Sequence, residues 1–318
     1  MGYIALVYGG FSGEFEISKK SATEIYNAFD KSVDQVILVR IIDKNWIAEF
    51  NNREYSIDKN DFSFQTKQEK IEFKSVFNII HGTPGEDGKL AGYFDLLGIS
   101  HNSSDVLTSA LTFNKNWCNR FLSTYGIVVP KSVVFYKGEE ASKLYSDISY
   151  PCFVKPNNGG SSIGTHKVKN KSSLGIALDD AFQHDTEVIV EEFIQGREFS
   201  VGIFKYNGKV KVLPLTEIIV ESDFFDFKQK YSEDGAIEIT PAKISPEKAL
   251  ECQEIVTKVF KLLRLKKVAR IDFILKNNTF YLIEVNTIPG MSSKSILPQQ
   301  ADSLHISFRD LIGMLGNE

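Results

Sequence analysis

Val268-Ala269-Arg270-Ile271-Asp272-Phe273-Ile274-Leu275, a polar break at Lys276-Asn277-Asn278-Thr279, then Phe280-Tyr281-Leu282-Ile283-Glu284-Val285-Asn286-Thr287-Ile288-Pro289-Gly290 is the stretch that decides how this chain reads. Both arms are rich in β-branched and aromatic residues, and the polar break between them is a turn signal. Alternate strand residues share a face, so Arg270 points with Asp272, and Glu284 with Asn286. A carboxylate in an apolar run is costly unless it is paired. A hard cation removes that cost, and two carboxylates with an amide oxygen suit Mg²⁺, with substrate phosphates completing the shell. The alternative is an edge hairpin whose Asp272 and Glu284 face water. The metal reading needs Asp272 opposite Glu284 and Arg270 opposite Asn286. That register requires an odd-numbered loop, such as Asn277-Asn278-Thr279, or a bulge; a slip of one residue separates the acids.

The 318 residues exceed one ordinary core, so two or three domains are expected. Apolar content of 42% and charged content of 25% describe a soluble globular chain. A net charge of −4 with both signs scattered gives no nucleic-acid surface. Cys118, Cys152 and Cys252 are far apart and odd in number, which fits reduced thiols in a cytosol and neither a disulfide framework nor a zinc site. No apolar run reaches the roughly 18–20 residues of a membrane span. The opening Met1 to Val7 has no basic region before its apolar stretch, so no signal peptide is expected, and Leu6 spoils a myristoylation pattern.

Outward from the hairpin, the N-terminal third reads as alternating strands and helices. Tyr3 to Tyr8 is a buried parallel strand ending in Gly9-Gly10, and a helix runs from Ser12 to about Phe29. Glu14 falls at that helix start, where first-turn electrostatics alone would place an acid. Val36 to Ile42 is a strand, Trp46 to Phe64 short antiparallel pieces, Ser75 to Ile80 a buried strand. It runs into His81-Gly82-Thr83-Pro84-Gly85-Glu86-Asp87-Gly88, a wide loop at the edge where open α/β sheets bind ligands. His81 there is structural or catalytic. Leu90 to Leu97 is a helix, and this parallel-sheet α/β unit is expected to end near residue 103.

Ser109 to Tyr125 reads as one helix with Lys115 inside it. Val133 to Tyr136 is a strand and Ala141 to Ser146 a helix. Pro151 to Val168 is strand, glycine–serine loop, strand; it lacks both the P-loop ending and the dinucleotide spacing. The free N–H groups of that loop, with the hydroxyls of Ser161 and Ser162, can wrap phosphate oxygens; the plain alternative is a flexible turn. A helix over Ser173–His184 precedes a strand over Glu187–Glu192, and Val188 to Ile194 offers an apolar end that can hold a flat heterocycle. Glu198–Phe204 and Lys209–Glu217 pair around Asn207-Gly208. Asp223 to Tyr231 has no clear period and is a candidate lid. Pro246–Leu263 is a long helix, Met291–Ile296 a polar loop, and Ser307–Leu315 a closing helix.

Taken together, these stretches resemble the D-alanine–D-alanine ligases of the ATP-grasp superfamily over nearly the whole length. The likeness rests on Gly9-Gly10 with Glu14, His81-Gly82 with Gly85 to Gly88, Lys155-Pro156, Gly160 to Gly164, Glu191-Glu192, Lys230-Tyr231, Arg270-Ile271-Asp272, Glu284 to Thr287, and Pro289-Gly290-Met291. Each is weak singly; in this order they are specific. The resemblance implies an N-terminal α/β domain with a parallel sheet over 1–103, then two α+β domains clasping ATP over 104–192 and 193–318.

By the same resemblance, Lys115, Lys155, Ser162, Glu191, Glu192, Phe193, Ile194, Glu198 and Ile274 would bind ATP, and Lys230 would reach its phosphates. Asp272, Glu284 and Asn286 would hold two Mg²⁺ (or Mn²⁺). Arg270 and the Gly290 N–H would face the oxyanion. Glu14 would take the first D-alanine's ammonium, tied through Ser161 to Tyr231, with His81 near that alanine's carboxylate. Ser295 and Ile296 would anchor the carboxylate of the second. It further implies peptidoglycan precursor synthesis in the cytoplasm by a homodimer, with no nucleic-acid or membrane partner. Four departures stand out: Ala91 where the family commonly has Gln, Asn114 before Lys115 in place of Asp, and Phe225 and Phe227 where tyrosines are frequent. Tyr231 favours dipeptide formation over ligation to D-lactate.

Overall fold

A computed structural model describes residues 2–30, 35–139, 148–219 and 236–316. Among these residues the strands form three sheets. The first is built from β1 (Tyr3–Gly9), α1 (Phe15–Ala28), β2 (Val36–Ile42), β3 (Asn45–Phe50), β4 (Arg53–Ser56), β5 (Ser63–Gln65), β6 (Lys70–Asn78), α2 (Lys89–Leu97) and β7 (Ser100–His101). Its strand order is β4-β3-β2-β1-β6-β5, with β7 beside β6. β1 is parallel to β2 and β6, and β6 to β7. β3, β4 and β5 add antiparallel edges. The expected parallel sheet is therefore the centre of a mixed one, and β1 at that centre is buried along almost its whole length. Ser18 fixes the start of α1 against the sheet. Its hydroxyl donates to Ile79 O at 2.8 Å and accepts from Gly9 N at 2.9 Å.

The helix expected over Ser109–Tyr125 is two helices, α3 (Val106–Phe113) and α4 (Lys115–Thr124). Asn114 leaves the helical region, and its side chain accepts from Trp117 N at 3.0 Å as the N-cap of α4. Lys115 is thus the first residue of a helix rather than an interior one, and its N–H donates to Asn157 O.

The second sheet holds β8 (Ser132–Tyr136), β9 (Cys152–Pro156), β10 (His166–Val168) and β11 (Glu187–Glu192), all antiparallel in the order β10-β9-β11-β8. Helix α5 (Leu174–Ala181) closes its core over Phe135, Val154, Leu178 and Val188. The helix expected at 141–146 lies outside the described residues.

The third sheet carries β12 (Arg197–Tyr206), β13 (Lys209–Val212), β14 (Thr216–Ile219), β15 (Ile237–Ile239), β16 (Val268–Lys276) and β17 (Thr279–Asn286), with α6 (Pro246–Leu262), α7 (Ile296–Asp302) and α8 (Phe308–Gly316). Its order is β15-β14-β12-β16-β17, with β13 also on β12. The strand expected over Lys209–Glu217 is broken between β13 and β14, where Pro214 has no N–H to give a ladder. Helix α7 was not expected from the sequence.

In the deciding hairpin Arg270 pairs with Asn286 and Asp272 with Glu284. The loop is even-numbered: Lys276 pairs with Thr279 around Asn277 and Asn278, both at positive φ (46° and 68°). The needed register comes from the bulge. Phe273 pairs with Leu282, which leaves Ile283 as the extra residue before Glu284.

The first and third sheets share a core. Ile4, Leu6, Ile25 and Phe77 pack with Phe204, Val268, Leu297, Leu311 and Leu315.

Candidate active site

Between the second and third sheets lies a cleft of about 530 Å³. Its walls come mainly from strands, whose ladders hold the side chains in place. β9 contributes Phe153 and Lys155; β11 and its exit contribute Glu191, Glu192, Phe193 and Ile194; the third sheet contributes Glu198, Asp272, Ile274, Ile283 and Glu284. Lys115, Ser161 and Ser162 complete the lining. Every predicted nucleotide contact among the described residues is therefore on one surface. Lys230 and Tyr231, with Phe225 and Phe227, lie outside the described residues.

The cleft is charged at both ends, and one of them adds an aromatic wall. Lys155 Nζ lies 2.5 Å from Glu191 Oε2, with side chains 12% and 4% exposed. Asn119 Nδ2 donates to Glu191 Oε1 at 3.3 Å. Glu192 accepts from Lys131 N at 2.9 Å, which turns it away from that pair. Phe153 and Phe193 meet edge to face at 5.7 Å, and Lys167 Nζ sits 4.0 Å from the Phe193 ring.

At the other end, Asp272 is almost enclosed. Its Oδ1 accepts from Ser200 Oγ at 2.6 Å and Arg270 Nε at 3.0 Å; its Oδ2 accepts from Arg270 at 2.8 Å and Asn286 Nδ2 at 3.1 Å. Asn286 Nδ2 is also 3.5 Å from Glu284 Oε1, and Lys115 Nζ is 4.0 Å from Glu284 Oε2. Lys115 donates to Gly159 O, so it bridges the glycine–serine loop and the hairpin. Burial, more than Lys155 beside it, pushes the Lys115 ammonium below the usual lysine range, while Glu284 and Glu191 pull it back up. The bulge also explains why Ile283 and Glu284, adjacent in sequence, both line the cleft.

A second group gathers where β6 ends. Ser161 donates to Glu14 Oε1, which joins the glycine–serine loop to the residue that precedes α1. A Cβ at Gly160 would lie 3.4 Å from that carboxylate, so the loop main chain lies against it. His81 is buried; its Nδ1 lies 2.9 Å from Ile288 O, and its Nε2 has no hydrogen-bond partner among the described residues. Burial lowers the His81 pKa, which outweighs the nearby Glu14. A neutral ring with Nδ1 donating to Ile288 O leaves Nε2 as an acceptor. Glu86 accepts from Gly82 N at 2.7 Å and Ile288 N at 3.3 Å. Burial, followed by Glu14, raises its pKa to about 8. Gly290 and Ser295 sit together, since a Cβ on Gly290 would lie 3.1 Å from Ser295 Oγ. Ser295 is the residue before α7, and Ile296 opens that helix.

Comparison with known proteins places the whole chain in one family. A family model described as D-ala D-ala ligase N-terminus matches residues 3–104, and one described as D-ala D-ala ligase C-terminus matches residues 121–315. The chain belongs to the D-alanine–D-alanine ligase family. The family's relatives include a D-alanine--D-alanine ligase of Flavobacterium johnsoniae, 43% identical over 97% of this chain and 96% of that protein. Among solved structures, D-alanyl-alanine synthetase A of Vibrio cholerae superimposes with a TM-score of 0.89 at 27% identity, covering 99% of this chain and 97% of that one. VanG, a D-Ala:D-Ser ligase of Enterococcus faecalis, superimposes at 0.87 with 31% identity over 99% and 98% of the two chains. The architecture is the ATP-grasp fold preceded by an α/β unit, as the D-alanine–D-alanine ligase resemblance implied.

Sequence reasoning missed Phe153 and Ile283, whose signals were the strand before Lys155 and the even-numbered hairpin loop. It also missed Ser200, which carried no signal until its partner Asp272 was placed. Among the departures from the D-alanine–D-alanine ligase pattern, Ala91 is buried in α2. Asn114 Nδ2 donates to Glu187 Oε2 at 3.2 Å, a contact that a carboxylate could not make.

Proposed function

We propose that this chain joins two molecules of D-alanine into D-alanyl-D-alanine, using ATP and passing through an acyl phosphate. It is an ATP-dependent carboxylate–amine ligase. ADP and phosphate leave, and the dipeptide serves peptidoglycan precursor synthesis in the cytoplasm. The observation that carries the reading is the facing pair Asp272 and Glu284 beneath a cleft large enough for a nucleotide.

Phe153, Phe193, Ile194 and Ile274 give the adenine an apolar slot, and the Lys155–Glu191 pair offers it a donor and an acceptor. Glu198 faces the ribose. Ser162, Lys115 and Lys230 meet the phosphates. The donor set of Asp272, Glu284 and Asn286 is all hard oxygen once the amide turns its Oδ1 inward, and the two acids border the cleft, so the set fits Mg²⁺ or Mn²⁺. Two ions there would offset the repulsion between a carboxylate nucleophile and the triphosphate.

Glu14 takes the ammonium of the first D-alanine and is tied through Ser161 to Tyr231, the Ser161–Glu14 hydrogen bond supporting the first link. His81 offers its buried ring to the same alanine. Ser295 and Ile296 sit at the start of α7, whose N–H groups suit the carboxylate of the second. Arg270 and Gly290 N–H stand by for the oxyanion that forms when the second amine attacks. The acyl phosphate must be shielded from water, which assigns the lid role to the segment around Lys230. We divide the chain at 1–103, 104–192 and 193–318, a reading that the separation into three sheets supports, and a homodimer is the assembly we propose.

The test is ADP release coupled to an indicator enzyme, strictly dependent on D-alanine. Full turnover with L-amino acids alone would discard the reading. The similarity to a D-Ala:D-Ser ligase makes a second substrate other than D-alanine the competing reading. Mass analysis of products from D-alanine offered with D-serine or D-lactate separates the two.

A further inference from the structure

Four hydrogen bonds reach Asp272, and they are not equivalent. Asn286 lines a small pocket that adjoins the cleft at Lys115 and Glu284, and the Arg270 side chain is 22% exposed. Ser200 approaches from the next strand and is fully buried. It pairs with Asp272 across the β12–β16 ladder, and its hydroxyl reaches Oδ1 at 2.6 Å. A group that enters the cleft can displace the first two. It cannot displace a side chain held inside the sheet.

Ser200 is itself held. β14 leaves β12 after the pair Ser200–Thr216, and β13 joins only at Ile203. Gln300 from α7 fills the interval. Its Nε2 donates to Ser200 O at 2.8 Å and to Thr216 Oγ1 at 3.0 Å, and its Oε1 accepts from Gly202 N at 2.8 Å. Gln300 is fully buried with its amide satisfied at both ends. A Cβ on residue 202 would stand 2.7 Å from Gln300 Oε1 and 2.8 Å from a Leu213 methyl, so a side chain there would push Gln300 or Leu213 aside.

We propose that Ser200 is the positioning residue for Asp272, fixing the carboxylate so that it presents oxygen to a divalent ion, and that Gln300 holds the Ser200 main chain for that purpose. The inference rests on the reading of Asp272 as an ion ligand. Bound to Ser200 through Oδ1, the carboxylate cannot rotate freely about its last torsion. Oδ2 then stays toward the cleft when Arg270 and Asn286 release it. Partners of this kind around a metal ligand typically change affinity about 10–100-fold when removed.

The experiment measures Mn²⁺ binding to the whole protein in saturating ADP, from the paramagnetic resonance signal of free Mn²⁺, for the wild type, S200A, S200T and D272N. We expect S200A to bind Mn²⁺ at least about tenfold more weakly, and S200T, which keeps the hydroxyl, to stay near the wild type. Wild-type affinity in S200A with weak binding in D272N overturns the proposal and leaves Asp272 as a ligand. Wild-type affinity in D272N overturns the ligand assignment and the proposal with it. Equal loss in S200A and S200T also overturns it, since the hydroxyl would then not be the operative group.

Discussion

Glu284 stands opposite Asp272 because Ile283 is one residue too many for its strand. Without that bulge the two-residue Asn277-Asn278 loop would set Glu284 out of step, and the acids would point to opposite faces. The pair is thus a product of local backbone geometry. Replacing Glu284 by Ala is expected to lower ADP release at least ~10³-fold if both ions depend on it. Steady-state turnover at saturating Mg²⁺ measures this, and near-normal activity would remove Glu284 from the ion site.

The Ser161–Glu14 contact joins the glycine–serine loop to the entry of α1. A hydrogen bond to a charged group contributes about 1.5–3 kcal/mol, or roughly 10- to 150-fold in affinity. Glu14→Gln is expected to raise KM for the first-site D-alanine by about that factor while KM for ATP stays put. Initial rates over a wide D-alanine range, fitted for two sites, would show it. A change in ATP affinity alone would place Glu14 elsewhere in the reaction.

Lys155 and Glu191 form a nearly enclosed ion pair. Lys155→Met leaves a buried carboxylate with only Asn119 to satisfy it, and breaking such a pair costs roughly 3–5 kcal/mol. Urea unfolding of the nucleotide-free protein should show a loss of that order, and KM for ATP should rise in parallel. A loss below about 1 kcal/mol would mean that Glu191 accepts a proton or water in place of the lysine.

Glu86 carries a testable pH signature. Burial, with Glu14 second, raises its pKa to about 8 in the folded chain, above the ordinary carboxylate range. A raised folded pKa means the unfolded chain gives up the proton first. The stability Glu86 contributes is present below about pH 4.5 and drains away as pH rises toward about 8. Glu86→Gln cannot titrate. Its unfolding free energy should therefore fall less steeply than the wild type's between those limits. Parallel slopes would show that the carboxyl stays ionised in the folded chain.

Much of this site was readable because its residues sit on strands, where side chains alternate between two faces. Asp272 with Arg270, and Glu284 with Asn286, follow from period two, and His81 from the glycine-rich exit of β6. The hidden parts depended on partners distant in sequence. Nothing local to Gln300 says that it caps an interrupted strand, since the need arises only where β13 and β14 part around β12. The break at Asn114 was hidden for a related reason. Its helical neighbours read as one run, and the cap is fixed by a loop 43 residues later, through Lys115 N and Asn157 O. Glu86 stands inside the glycine-rich loop after β6, yet one of the N–H groups that satisfies its carboxylate is that of Ile288, from the far end of the chain.

The last two helices tie the opening sheet to the closing one, while Phe135, Val154, Leu178 and Val188 keep a separate core beneath the β9 wall. The cleft is therefore walled on one side by a sheet braced against the N-terminal unit and on the other by a sheet with a core of its own. A deletion that removes α8 is expected to loosen the wall that carries Asp272 and Glu284 while sparing the core of the four-stranded one.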